Sequence, residues 1–142
     1  MYEDVLGNVD LFKDLNKKEL NELAAGAQER KYSAGTTLVS QGDTGTGLYV
    51  ITAGKVRITQ AANPDRAEEN LGTMGVGEVV GEMALLDDLP RSATIIAAED
   101  TTAILLPIWN FRMALHAQPD IALKLLSVLS RRLRKAEGRA RQ

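Results

Sequence analysis

Short apolar and β-branched runs, separated by glycine-rich turns, fill the middle of the chain from residue 28 to residue 107. Nine of the 12 glycines lie between Gly35 and Gly81, so turns are frequent and the strands between them are short. This pattern is typical of antiparallel rolls and barrels. It also predicts a tight hairpin at Ala53-Gly54 and a looser loop at Asn63-Pro64-Asp65. The clearest strand runs are Thr37-Leu38-Val39, Leu48-Tyr49-Val50-Ile51, Lys55-Val56-Arg57-Ile58-Thr59 and Ser92-Ala93-Thr94-Ile95-Ile96.

One helix is predicted before the strands, over residues 17–25. Asn16 is a favourable N-cap for it, and Leu11 and Phe12 are expected to pack beneath it. The apolar positions that recur at helical spacing are Leu20, Leu23 and Ala24.

Two more helices are predicted after the strands. One covers residues 109–116, and Pro119, which is favourable in a first helical turn, begins another that runs to about residue 138. The fold class is therefore α+β and mainly β: an antiparallel β-roll of the double-stranded β-helix, jelly-roll-like type, with an N-terminal helix and two C-terminal helices. We expect one domain, 1–142, made of an N-terminal helical segment (1–27), the roll (28–107) and the C-terminal helices (108–142).

Composition narrows the class of protein. The chain is 44% hydrophobic and 25% charged, within the globular range, and it has no cysteine, which excludes disulfide frameworks and thiolate chemistry. It has no secretory signal pattern and no apolar run approaching about 18 residues. We therefore expect a cytoplasmic protein with no membrane partner.

Charge is distributed unevenly along the chain. The formal net charge of −2 combines +5 from residues 131–142 with −7 from residues 1–130. We interpret the basic tail as a solvated helix end, because cations are favourable near the negative pole of a helix dipole. The acidic remainder is a poor surface for DNA, so no direct nucleic-acid contact is expected.

Residues 77–94 contain the parts of an anion site. Gly81 allows a ligand to approach the backbone closely, and residues 82–86 are predicted to form one helical turn whose free N–H groups face an anion. Arg91 can grip two phosphate oxygens with its planar guanidinium, and Glu82 can accept a hydrogen bond from a sugar hydroxyl. These residues together predict a ligand that carries one phosphate and a nearby sugar hydroxyl.

Simpler roles are open for the same side chains. Glu82 could instead do no more than complement a helix dipole. Arg91 could instead form an ordinary surface ion pair with Asp87 or Asp88. The combination of residues, rather than any one of them, favours the ligand site.

The runs Gly81-Glu82-Met83-Ala84-Leu85-Leu86 and Pro90-Arg91-Ser92-Ala93-Thr94 resemble the phosphate-binding cassette of the cyclic-nucleotide-binding family, here residues 80–94. That family includes the catabolite activator protein, protein kinase A regulatory subunits and cyclic-nucleotide-regulated channels. The resemblance extends over nearly the whole chain, through Gly35, Gln41-Gly42-Asp43, Leu48-Tyr49-Val50-Ile51, Gly54-Lys55-Val56 and Leu71-Gly72. It implies a regulatory sensor domain, not an enzyme, that needs no cofactor, binds cAMP or cGMP and signals by moving its C-terminal helix.

The resemblance also implies roles for individual residues. The cyclic phosphate would be held by backbone groups and side chains of Gly81, Met83, Ala84, Arg91, Ser92 and Ala93. Glu82 would bind the ribose 2′-hydroxyl. The apolar pocket would be lined by Val56, Ile58, Val79 and Val80.

The sequence departs from the family's usual pattern at Val80 and at Ala136-Glu137. Val80 stands where the family usually carries phenylalanine, which should alter pocket packing without abolishing binding. The final helix offers Ala136-Glu137 where the catabolite activator supplies a Thr-Ser pair to adenine, so base contacts do not carry over. The hydroxyl of Ser92 could serve either phosphate or purine. We favour cAMP, with cGMP as the alternative.

Other classes of function have less support in the sequence. A metal-dependent enzyme of the cupin type would need several histidines, and His116 is the only one. An interaction module that had lost its ligand would be expected to lack Glu82 or Arg91, and both are present. Two origins stay open: a freestanding receptor acting on an unknown effector, or the regulatory part of a larger transcription regulator or channel.

The final helix carries two apolar stripes. Ile121, Leu125 and Val128 should pack on the roll. The second stripe resembles a short coiled-coil seam and predicts a weak or ligand-dependent homodimer; it consists of Ala122, Leu126, Leu129, Leu133 and Ala136. Beyond Leu129 the helix is basic, so we expect its end to be free to swing, with Arg134 or Lys135 closing over the base as a lid.

Overall fold

Helices at both ends enclose a middle of short strands in residues 2–44, 46–87 and 89–140, the part of the chain that the computed structural model describes. The strands are β1 (Gln28–Tyr32), β2 (Thr37–Val39), β3 (Gly47–Ala53), β4 (Lys55–Gln60), β5 (Glu69–Gly75), β6 (Val79–Val80), β7 (Thr94–Ala97) and β8 (Thr101–Pro107). The α-helices are α1 (Glu3–Gly7), α2 (Lys17–Ala24), α3 (Ala84–Asp87), α4 (Ile108–Ala117) and α5 (Pro119–Ala140), and a 3-10 helix covers Asp10–Phe12.

Two four-stranded antiparallel sheets form the roll. One has the strand order β1-β8-β3-β6 and the other β2-β7-β4-β5. Successive strands along the chain often lie in different sheets, so the chain winds around the roll instead of meandering across one face. The predicted α+β, mainly β class with an antiparallel roll is confirmed.

Gly54 turns the chain from one sheet into the other. β3 pairs with β6 and β8, whereas β4 pairs with β5 and β7, so the predicted hairpin at Ala53-Gly54 is wrong. The φ of Gly54 is 89°, and a Cβ atom there would lie 2.3 Å from the carbonyl oxygen of Asp100. The corner therefore needs glycine for both conformation and space. The loop predicted at residues 63–65 is confirmed, since it joins the antiparallel strands β4 and β5.

Two hydrophobic clusters hold the layers together. The first lies under the helices, where the rings of Phe12 and Phe111 are 6.3 Å apart and Leu11 is buried with Leu23, as predicted. The second lies among the strands and includes Tyr49, Val56, Ile95 and Leu105. The roll and the helical layer thus each have a core of their own.

The N-terminal segment agrees with the prediction for α2 and extends it. Asn16 caps α2 as expected: its Oδ1 accepts from the Glu19 backbone N–H, and Glu19 Oε1 accepts from the Asn16 N–H, both at 2.9 Å. The sequence predicts one N-terminal helix, whereas α1 and the 3-10 helix precede α2. α1 has only five residues and no side-chain cap, so local sequence defines it weakly. Leu6, which is fully buried, holds it against the core.

The buried face of α5 matches the first predicted stripe. Ile121, Leu125 and Val128 are at most 3% exposed and belong to the cluster under the helices. Apolar contact therefore anchors the first half of α5 to the domain. None of the described helices is long and apolar enough to cross a membrane.

The second predicted stripe of α5 is only partly open to solvent. Leu126 and Leu133 are each 60% exposed, but Leu129 is partly buried against the same cluster. Leu123, which the predicted stripe omits, is 62% exposed and extends the open apolar face. The exposed face therefore runs through Leu123, Leu126 and Leu133 rather than along the predicted seam.

Candidate functional site

A cavity of about 540 Å³ opens between the second sheet and the segment that carries α3. It contains all seven residues predicted to bind a ligand: Gly81, Glu82, Met83, Ala84, Arg91, Ser92 and Ala93. Three predicted pocket residues also line it: Ile58, Val79 and Val80. The sequence did not predict the rest of the lining: Val39, Leu71, Met74, Asp87, Leu89, Pro90 and Ile95.

Val56 does not line this cavity, contrary to the pocket predicted from the sequence. It is fully buried in the cluster among the strands. It pairs with Met74 of β5 on one side and with Ala97 of β7 on the other, near the closed corner at Gly54. Val56 and Ile58 are two residues apart and so lie on the same face of β4. Of the two, Ile58 is farther along the strand and reaches the opening of the cavity.

Gly81 brings the backbone against Arg91. Its φ is 86°, and a Cβ atom there would lie 2.2 Å from Arg91 Nη1 and 2.8 Å from the Gly47 carbonyl oxygen. Glycine is therefore needed both for the left-handed conformation and for the close approach. This places main-chain atoms of the cassette beside a fixed positive charge.

Arg91 is a buried cation, only 9% exposed. Its Nη2 donates to the Gly47 carbonyl oxygen at 2.5 Å, while its Nε is buried without a hydrogen-bond partner. Within the described residues, no carboxylate lies within ion-pair distance of it. Burial lowers the pKa of the guanidinium from its ordinary value, because the charged form loses water without gaining an anion. An anionic ligand would supply the missing partner.

The surface pairing considered for Arg91 is not observed with Asp87. Asp87 Oδ1 instead accepts from the backbone N–H of Leu89 at 3.1 Å, and the other acid considered, Asp88, lies outside the described residues. The turn predicted over residues 82–86 forms slightly later, as α3, and Leu85, only 1% exposed, anchors it to the core.

The segment 41–43 holds Arg91 in place through its backbone. The Gly42 N–H donates to the Arg91 carbonyl oxygen and the Arg91 N–H donates to the Asp43 carbonyl oxygen, each at 2.8 Å. Gln41 N–H donates to Thr94 Oγ1 at 3.0 Å. The Gln41-Gly42-Asp43 motif therefore acts as a support for the arginine of the cassette.

Glu82 is paired with a residue that the sequence analysis did not select. Arg132 of α5 lies with its Nη2 2.5 Å from Glu82 Oε1 and 2.5 Å from Asp10 Oδ2. Its Nη1 lies 3.8 Å from Met83 Sδ. The guanidinium thus links α5 to the cassette and to the N-terminal segment. Hydrogen bonds to Glu82 and then to Asp10 raise the pKa of Arg132.

A sequence signal for Arg132 did exist. The buried positions 121, 125 and 128 of α5 alternate by four and three, and the next position in that series is 132. The predicted lid residues Arg134 and Lys135 are both exposed and do not line the cavity. Arg134 is rotated by about 200° around the helix from Arg132, so it lies on the opposite side.

The end of α5 is also better anchored than predicted. Beyond Leu129 the helix continues unbroken to Ala140, and Arg131 Nη2 lies 2.5 Å from Asp14 Oδ2. With the contacts of Arg132, ion pairs take over where the apolar stripe ends. The conformation described thus has polar anchors at this end that the sequence did not predict, and the swing of the end stays a prediction.

A sequence profile described as "Cyclic nucleotide-binding domain" matches residues 29–118, more than half of the chain. The chain belongs to this family. The resemblance inferred from the cassette residues is thereby confirmed.

Curated relatives of this cyclic nucleotide-binding domain are regulators. The "Cyclic AMP receptor protein" of Thermus thermophilus is 36% identical over 127 residues, covering 89% of this chain and 58% of the relative. A "cAMP-dependent protein kinase regulatory subunit" of Colletotrichum orbiculare is 34% identical over 100 residues, covering 70% of this chain and 25% of the relative. The chain thus spans less than three fifths of either relative.

A solved structure shares nearly the whole fold of the domain. The N-terminal domain of a transcriptional regulator from Streptomyces coelicolor superimposes with a TM-score of 0.85 at 36% identity, covering 96% of this chain and 95% of that one. The helices at both ends therefore belong to the shared architecture together with the roll.

Proposed function

We propose that this domain is a sensor for cAMP, with cGMP as the alternative ligand, and that α5 transmits its occupancy. The observation that carries the proposal is Arg91: a buried guanidinium with an unpartnered Nε and no described carboxylate partner, set against Gly81 at the wall of a cavity. A cyclic phosphate has the charge and the oxygen geometry that such a group lacks. The name of the Thermus relative, a cyclic AMP receptor, supports the choice of ligand.

The rest of the cavity suits the other parts of a cyclic nucleotide. Glu82 lines the wall with one carboxylate oxygen on Arg132, which leaves the second free to accept from a ribose hydroxyl. Ile58, Leu71 and Val79 offer an apolar surface for a purine. Ser92 is the hydroxyl in the lining that could contact either phosphate or base, and we assign no other base contact.

Calorimetry with nucleotide-free protein tests the proposal. We expect saturable binding of cAMP and a rise in melting temperature, because a ligand that binds only the folded state stabilises it by RT ln(1 + [L]/Kd). cGMP and cyclic dinucleotides in the same panel measure the base preference and the need for a single phosphate. Absence of any heat or melting shift at millimolar cAMP and cGMP would contradict the assignment.

Transmission through α5 is supported by the contact between Arg132 and the cassette. A ligand that engages Glu82 must alter or strengthen that contact, and it can shift α5 only if it binds the two positions of the helix with different affinity. We propose that α5 moves toward the base on binding, which would bring Lys135 over the purine as a lid, or Arg134 if the helix also rotates about its axis. Truncation after Leu129 should weaken binding, and amide exchange over residues 130–138 should slow with cAMP. Unchanged exchange and unchanged affinity would exclude this route.

The exposed apolar face of α5 supports a homodimer. Leu123, Leu126 and Leu133 are each at least 60% exposed along one helix, which is unusual for a face that stays in water. We propose a weak or ligand-dependent dimer through this face. Sedimentation with and without cAMP, compared between wild type and Leu126→Glu, measures it; a monomer under both conditions would exclude it.

The domain is proposed to be regulatory rather than catalytic. Within the described residues no cluster of metal-ligating side chains occurs, and His116 is exposed on α4. The relatives named above are a receptor and a kinase regulatory subunit, so the expected partner is an effector protein or a further domain. A ligand-free interaction module is the alternative, and the calorimetric test separates the two.

A further inference from the structure

Asp10 lies outside the cavity but shares a side chain with the cassette. The same atom, Arg132 Nη2, is 2.5 Å from Asp10 Oδ2 and 2.5 Å from Glu82 Oε1. A guanidinium Nη carries two hydrogens, so each carboxylate can accept one of them. With Nη1 on Met83 Sδ, both ends of the guanidinium are engaged and its rotation is restricted.

Asp10 and Arg132 both lie outside the cassette, and the backbone of Asp10 is held more firmly by its buried neighbours. It begins the 3-10 helix, and its neighbours Val9 and Leu11 are fully buried. Lys13 Nζ lies 3.4 Å from the other carboxylate oxygen, Oδ1, which leaves Oδ2 for Arg132. Arg132, by contrast, lies just beyond Val128, the last fully buried residue of α5. The buried neighbours therefore hold the backbone of Asp10, although its side chain is 58% exposed, and its carboxylate offers Arg132 an anchored partner.

The position of Arg132 matters for Glu82. A carboxylate beside an anionic ligand repels it unless a cation offsets the charge, and Arg132 supplies that cation on Oε1. It also occupies Oε1, so that Oε2 of this cavity-lining residue is the oxygen left to accept from a sugar hydroxyl. A displaced Arg132 would leave Glu82 both uncompensated and free to rotate.

We infer that Asp10 is a positioning residue of the nucleotide site, which acts through Arg132 to orient Glu82 and thereby sets the preference for a ribose that bears its 2′-hydroxyl. The inference rests on the proposed function. It gives the N-terminal segment a part in ligand recognition, although none of its residues lines the cavity.

Asp14 offers a matched control. It lies on the same segment and pairs with the neighbouring arginine, Arg131, at the same 2.5 Å distance. Asp14→Asn removes the same charge as Asp10→Asn, but among the described residues Arg131 makes its hydrogen bonds with Ser127 and Asp14 and none with the cassette. A general electrostatic effect would be equal in the two variants, whereas an effect through Glu82 would appear only in Asp10→Asn.

The test is the ratio of dissociation constants for 2′-deoxy-cAMP and cAMP, measured by calorimetry in wild type, Asp10→Asn, Asp14→Asn, Arg132→Gln and the Asp10→Asn/Arg132→Gln double variant. Asp10→Asn should lower the ratio by about two- to fivefold, the range expected for a solvent-accessible ion pair. Asp14→Asn should leave it unchanged. Arg132→Gln should lower it at least as far, and adding Asp10→Asn to Arg132→Gln should change it no further.

Three outcomes overturn the inference alone: an unchanged ratio in Asp10→Asn, an equal change in Asp14→Asn, or an Asp10→Asn effect that persists without Arg132. Failure of wild type to bind any cyclic nucleotide overturns the proposed function, and the inference with it. A ligand-free measurement adds a separate check. Arg132 lowers the pKa of the Asp10 carboxyl, so Arg132→Gln should raise that pKa in an NMR titration, and an unchanged value would contradict the contact itself.

Discussion

Two buried charged residues, one in the helical layer and one in the cassette, differ in the partners that the chain provides for them. Glu19 is 3% exposed, and its Oε1 accepts from Lys124 Nζ at 2.6 Å and from the Asn16 backbone N–H at 2.9 Å. Arg91 is 9% exposed, and its Nε has no partner at all. Burial alone would raise the pKa of Glu19, but the hydrogen bonds outweigh it and the pKa lies below its ordinary value. For Arg91 burial lowers the pKa, and its side-chain hydrogen bond to the neutral Gly47 carbonyl oxygen does not reverse that direction.

The difference separates structure from function. A buried charge with all its partners inside the chain stabilises the fold and needs nothing further. A buried charge with an unpaired hydrogen-bond donor destabilises the fold. Such a group is typical of a ligand site, where the bound ligand supplies the missing acceptor. The pattern of pairing, more than burial itself, therefore points to the ligand site.

The largest expected effect concerns the unpaired charge. Arg91→Ala should weaken cAMP binding by about 2 to 5 kcal/mol, because it removes one partner of a buried charge pair. The free energy of unfolding of the ligand-free protein should change little, because loss of the hydrogen bond to Gly47 is offset by removal of a desolvated, unpaired charge. Arg91→Lys should restore only part of the affinity, because an ammonium cannot form the planar fork. Calorimetry and thermal melting measure both, and wild-type affinity in Arg91→Ala would place the phosphate elsewhere.

The paired charge should respond in the reverse manner. Lys124→Met should lower the free energy of unfolding by about 1 to 3 kcal/mol, because it leaves Glu19 buried without its cation, while Lys124 itself is 35% exposed. Urea denaturation measures the loss. Lys18→Met, on the exposed side of α2, is the control and should change stability by less than about 0.5 kcal/mol. An equal effect in both variants would remove the contrast between the two sites.

A smaller effect is expected at Glu82. Replacement by Gln keeps an acceptor oxygen but removes the charge, so the preference for cAMP over 2′-deoxy-cAMP should fall by about 1 kcal/mol. Competition binding with both nucleotides measures the change. If Glu82 only complements the dipole of the short helix, wild type and Glu82→Gln will discriminate equally.

The smallest effect is the dependence of stability on pH. The folded-state pKa of Glu19 lies below its ordinary value of 4.5, so its stabilising contribution is present above that pH and is lost as the pH falls through the folded-state value. The difference in unfolding free energy between wild type and Glu19→Gln should therefore shrink with acidification below pH 4.5. Urea titrations from pH 7 to pH 3 measure it; a difference that is constant with pH would show that Glu19 contributes through packing alone.

Local patterns were sufficient for most of the strands, for the capping of α2 and for the cassette. Asn16 and Glu19 are three residues apart, and Gly81 and Arg91 lie in one continuous stretch, so their roles can be read from neighbouring positions. The short strands were predictable from their apolar and β-branched runs and from the glycines between them. α1 escaped prediction because five residues carry little local signal, and its stability comes from the burial of Leu6.

By itself the sequence determined the class of fold, the order of its elements and the chemistry of an anion site, because these depend on residues close together in the chain. The tertiary structure decided which residues that are distant in the chain come into contact. Whether Gly54 closes a hairpin or changes sheets, and whether Val56 or only Ile58 reaches the cavity, depends on strand pairing between distant segments. The meeting of Asp10, Glu82 and Arg132 is also a tertiary event: more than 100 residues separate the first from the last, and only the packing of α5 on the N-terminal segment unites them.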